Sequence, residues 1–75
     1  PSFAALTKPE KEMFVFGLIT AVCEMHDENN LSHSLAKKYT KQYVYNAEKK
    51  YLSKSEIEYV KEIALDLYPS CPFPK

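Results

Sequence analysis

Arginine and tryptophan are absent from this chain of 75 residues, and glycine occurs once. Without Arg there is no planar fork to read a guanine edge, which weakens sequence-specific nucleic-acid recognition. A single glycine leaves no hairpin turn of the usual kind, and no segment alternates apolar and polar residues, so a β-sheet is not expected. No apolar run spans a bilayer; the densest, Met13 to Cys23, is too short. There is no excess charge of either sign: ten Lys balance ten acids. That argues against a protein that grips nucleic acid by bulk charge. Internal repeats and heptad arrays are also missing. Lysine as the only strong base, with six tyrosines, fits an AT-rich coding genome, bacterial or phage.

Cysteine is scarce as well, and the two present are the most informative residues. Cys23 and Cys71 lie near the ends of the first and last apolar segments. In a three-helix up-down-up bundle those ends meet at one pole, so the pair is expected to form a disulfide. The reduced alternative is two buried thiols in a cytosolic bundle. Seventy-five residues make one domain with a modest core, and domains of that size often need a staple. A bridge argues for an oxidising compartment, periplasmic or extracellular. Ser2-Phe3-Ala4 before Ala5 fits the small-x-small pattern preceding a signal-peptidase cut, and the expectation is that a signal peptide has been removed.

Three helices are predicted, at about 8–26, 31–50 and 54–68, with a Pro-rich C-terminal tail. The first opens on a capping box, Thr7 with Glu10, and has Pro9 in its first turn. Phe14, Leu18, Val22 and Met25 form its apolar stripe, widened by Val15 and Ile19. Gly17 sits mid-helix, as either a close-approach site or a tolerated surface position. Residues 27–30 break the pattern. In the second helix Leu35, Tyr39, Tyr43 and Ala47 recur every four residues. The third starts at Ser53, with Glu56 closing a second capping box, and Pro69 stops it. The expected core is Phe14, Leu18, Val22, Leu35, Tyr39, Tyr43, Ile57, Val60, Ala64 and Leu67. Three prolines stiffen residues 69–74, which are expected to fold back with Phe73 on helix 1.

Several constellations invite a chemical reading. Cys23, His26, Asp27, Glu28 and His33 are a dense group of metal-ligand types. A zinc site needs four convergent ligands, often from two elements, and an oxidised Cys23 has no thiolate to give. The plain reading is a helix C-terminus where His26 meets the dipole, with no metal or cofactor. Residues 27–38 fail as a calcium loop, because Ser32 replaces the turn glycine and Lys38 the bidentate acid. Cys–His catalysis needs a low-pKa thiolate and an oriented imidazole, and only nearness in sequence is present. No residue set stands out as catalytic, so an enzyme is not expected.

Charge is unevenly spread. Residues 1–28 carry two Lys against five acids, residues 29–54 six Lys against one, and residues 55–75 two Lys against four. The middle helix is basic and its neighbours are acidic. Attraction within the bundle accounts for this, and so does a partner site. Lys38, Lys41, Tyr45 and Lys49 share the face opposite the core stripe and are the candidate contact for an acidic protein partner. Lysines interleaved with tyrosines also suit phosphates and bases, but Tyr39 and Tyr43 fall in the core stripe, leaving Tyr45 alone on the basic face. A further candidate surface is the tail around Phe73, or any part of the broad helix 1 stripe left uncovered. The expected function is a small exported non-enzymatic binding protein: an inhibitor, chaperone or accessory subunit. The alternative is a cytosolic module that binds protein or nucleic acid through the basic helix. Size, helicity and one long-range disulfide resemble the HdeA-type periplasmic acid-stress chaperones and other small exported bacterial helical proteins. That resemblance is one of architecture and carries no functional residue across.

Overall fold

A computed structural model describes residues 5–74, and the Ser2-Phe3-Ala4 pattern lies outside them. Three helices follow in order: α1 Lys8–Asp27, α2 His33–Lys50 and α3 Lys54–Leu67. The described residues contain no strand.

The helix ends are set by local chemistry. Thr7 Oγ1 accepts from the backbone N–H of Glu10, and the Glu10 carboxylate accepts from the backbone N–H of Thr7 at 2.8 Å. Ser53 and Glu56 repeat the arrangement at α3, again with a 2.8 Å bond. Each box satisfies two N–H groups that the helix start leaves unpaired. The backbone N–H groups of Thr7 and Ser53 hold the Glu10 and Glu56 carboxyls below the usual carboxylate range. Folded pKa values below the unfolded ones stabilise the fold above the ordinary range, and that contribution is lost as pH falls through the lowered values. At α2 the cap is Ser32, which accepts from the N–H of Leu35, so the helix starts two residues after Leu31. The C-terminus of α1 closes through Asn29 at φ 61°. Asn29 N–H donates to the His26 carbonyl and Asn30 N–H to that of Met25. This is the Schellman pattern, and Asn tolerates the left-handed conformation it requires.

Three long-range features fix the topology. Lys8 Nζ lies 3.8 Å from Glu56 Oε1, so α1 and α3 start at the same pole. Cys23 and Cys71 are disulfide-bonded, with Cα atoms 5.1 Å apart, at the other pole. Phe14 and Leu18 share a groove with Tyr43, Asn46 and Lys50, so α2 runs against α1. The order is up-down-up.

The core is Val15, Ile19 and Cys23 of α1, Ala47 of α2, Leu52, Ile57, Val60 and Ala64 on and before α3, and Cys71. Val22, Ala36 and Thr40 are also buried. The expected stripes on α1 and α2 are each displaced by one position. Phe14, Leu35 and Tyr39 are 46, 42 and 36 % exposed, and Leu67 is 59 % exposed. Leu18 and Tyr43 are half-buried, while Val22, Ile57, Val60 and Ala64 stand in the core as expected. The reason is steric. The small side chains of Ala36, Thr40 and Ala47 face the centre and let the backbones approach. The larger Leu35 and Tyr39 fall to the flank and stay partly exposed. Gly17 is exposed, and a Cβ there would meet nothing within 4 Å, so it is a tolerated surface position and not a close-approach site.

The tail after α3 packs across to α2. Thr40 Oγ1 lies 2.7 Å from the Pro72 carbonyl and 3.0 Å from that of Lys37. Cys71 N–H donates to the Tyr68 carbonyl. Phe73 sits beneath Lys61 of α3, with Nζ 5.9 Å from the ring centroid. Phe73 thus meets α3 and also packs against the core cluster to which Val15, Ile19 and Cys23 of α1 belong. Thr40 is fully buried and Pro72 is buried. Thr40→Val keeps the shape and removes the donor, leaving a buried carbonyl unpaired, at an expected cost of about 1–3 kcal/mol. Urea unfolding measures this, with Thr40→Ser as the hydroxyl-retaining control. A Val variant as stable as wild type would show that the hydroxyl does not hold the tail.

Candidate functional site

Lys38, Lys41, Tyr45 and Lys49 are all exposed on α2. Spacings of three and four residues put them on one ridge, turned away from Ala36, Thr40 and Ala47. Tyr45 is 61 % exposed, and Lys49 Nζ approaches its ring to 5.7 Å from the centroid. A cation over an aromatic face gives the ridge one preorganised contact pair. Among the described residues, ion pairs join Lys8 to Glu56, Lys54 to Glu48 and Lys61 to Glu58. None joins Lys38, Lys41 or Lys49 to an acid of α1 or α3. Contact attraction inside the bundle therefore does not account for these three lysines, and their charge faces solvent.

The dense ligand group at the end of α1 is arranged differently from what its sequence suggests. Cys23 Sγ is bonded to Cys71 and buried, so it serves neither as nucleophile nor as metal ligand. His26 and His33 face each other, with ring centroids 5.4 Å apart. Among the described residues no three His, Cys, Asp or Glu side chains gather where they would hold a metal ion. His26 Nδ1 is buried without a hydrogen-bond partner, beside the α1–α2 turn.

One surface answers only the general expectation that part of helix 1 is left uncovered, and none of its residues is among the named contact residues. Between α1 and α3 runs an apolar groove of about 200 Å³, lined by Glu12, Met13, Phe16, Tyr59, Val60 and Ile63. Met13 is 74 % and Tyr59 58 % exposed. A signal for it exists in the run Met13-Phe14-Val15-Phe16, which puts apolar side chains around most of a helical turn. Two neighbouring helices cover only part of such a turn. No described helix is long and apolar enough to cross a membrane. Comparison of the chain with protein-family models, with curated proteins and with solved structures finds no match.

Proposed function

We propose that this chain is a small exported binding protein that acts without catalysis, through protein–protein contacts made by the α2 ridge. The observation that carries the reading is the set Lys38, Lys41 and Lys49 around Tyr45, exposed and without ion pairs to the rest of the bundle. Such a ridge complements an acidic protein surface: its charge steers encounter, and the tyrosine supplies contact area. The disulfide is compatible with an oxidising compartment and supports the periplasm or cell exterior as the place of action. With the one cysteine near a histidine oxidised, no activated nucleophile supports a catalytic reading.

The test compares wild type with K38E/K41E/K49E as bait in extracts of the source cells. The three positions are exposed, so the variant is expected to unfold within about 0.5 kcal/mol of wild type. Its association with the acidic partner slows, and the salt dependence of binding flattens. Equal binding by the folded variant would show that the ridge is only solvated.

A further inference from the structure

The α1–α3 groove has a second property besides its apolar floor. Because α1 and α3 run parallel, both C-termini lie at the pole closed by Cys23–Cys71. The negative ends of two helix dipoles therefore meet there, offset in part by the positive N-terminal end of α2. No basic residue occupies the last turn of α3, and His26 is the one in the last turn of α1. Acidic side chains reinforce this. Met13, Thr20 and Glu24 recur at seven and four residues along one edge of α1, and Tyr59 and Asp66 are seven apart on α3. Glu12 lines the groove itself, and beyond it the two helix rows run from an exposed apolar residue, Met13 or Tyr59, to an exposed acid, Glu24 or Asp66. Asp27 and Glu28 stand just beyond. Partial burial pushes the Tyr68 phenol up from its ordinary pKa, and the nearby carboxylates of Glu24, Asp27 and Glu28 push it the same way. At the opposite mouth Lys8 is paired with Glu56.

We propose that this groove docks a cationic amphipathic helix of a partner polypeptide. Its apolar side rests on Met13, Phe16, Tyr59 and Ile63, and its lysines or arginines point to the acidic pole. Recognition of this kind lays an amphipathic helix into a hydrophobic groove. The charge of the pole selects the cationic version and rejects an acidic one. The surface is separate from the α2 ridge, so either assignment stands or falls without the other.

The probe is a synthetic amphipathic helix of leucine and lysine, with its leucine–glutamate counterpart as the control. Both are titrated into the oxidised chain while backbone amide shifts are recorded. The lysine peptide is expected to bind, to weaken as salt rises, and to shift amides of the first half of α1 and the middle of α3. Two variants test the two halves of the groove. M13Q/Y59Q removes apolar area at exposed positions, and E24Q/D66N removes charge at the pole. Each is expected to weaken binding about tenfold, as loss of a central contact does. Leu35→Gln, on the other side of the bundle, leaves binding unchanged. The proposal is overturned if the glutamate peptide binds equally well, if shifts map to the α1–α2 side, or if neither peptide binds. It is also overturned if sedimentation shows that a second copy of this chain occupies the groove and that M13Q/Y59Q disperses it.

Discussion

Reduction of the Cys23–Cys71 bridge is expected to destabilise the chain by about 4 kcal/mol, the chain-entropy estimate for a closed loop of this size. The bridge spans 48 residues of sequence and joins α1 to the tail after α3. α2, α3 and the last turn of α1 lie inside that loop, so the unfolded ensemble of that part of the chain is tightly restricted. A small domain has only about 5–15 kcal/mol of net stability, so the loss is a large share of it. For a domain of this length it corresponds to a fall in Tm of roughly 15–30 °C. Thermal melts with and without reductant measure this, and C23A/C71A should reproduce the reduced melt. Thiol trapping in intact source cells is expected to find both cysteines blocked. A reduced chain that melts within a few degrees of the oxidised one would show that the core alone holds the fold. Free thiols in the cells would remove the support for export.

Ile19→Ala is expected to have the next largest effect. Ile19 is fully buried where α1 meets the core residues of α3 and the disulfide. Truncation there removes transfer energy and leaves a cavity that a bundle clamped by a disulfide fills poorly. The expected cost is about 2–5 kcal/mol in urea unfolding. Leu35→Ala, at a side chain 42 % exposed, should cost about 1 kcal/mol or less. The pair discriminates between two registers of packing. If Phe14, Leu18, Leu35 and Tyr39 formed the centre, the order of the two costs would invert.

Much of the fold was legible because its signals are local. Thr7 with Glu10 and Ser53 with Glu56 close within four residues, so α1 and α3 start where the capping boxes say. Pro69 ends α3 for a reason contained in the proline ring. The cysteine pairing was also legible, because helix number and direction put both residues at one pole whatever the packing detail. The candidate ridge on α2 was legible as a polar face, since lysines at three- and four-residue spacing are solvated in any bundle. That it lacks ion pairs to the neighbouring acids required the structure.

The rest depends on contacts between residues far apart in the chain. Periodicity identifies α1 and α2 as amphipathic but leaves their rotation open by about one residue, or about 100°. In α1 apolar residues occur on several sides, so the buried side is chosen by where α2 and α3 sit. In α2 the choice falls on Ala36, Thr40 and Ala47 because small side chains permit close approach. A threonine is accepted at the centre because its hydroxyl donates to the Pro72 carbonyl, 32 residues away, with the Lys37 carbonyl also in reach. The groove between α1 and α3 arises in the same way. Sequence alone determined where α1 and α3 begin, where α3 stops and which face of α2 is charged, since those follow from neighbours along the chain, and helix number and direction pointed to the cysteine pair. Tertiary structure decided which apolar residues are buried and which are left to form a groove, because burial depends on the shape of the partner surface and not on hydrophobicity alone.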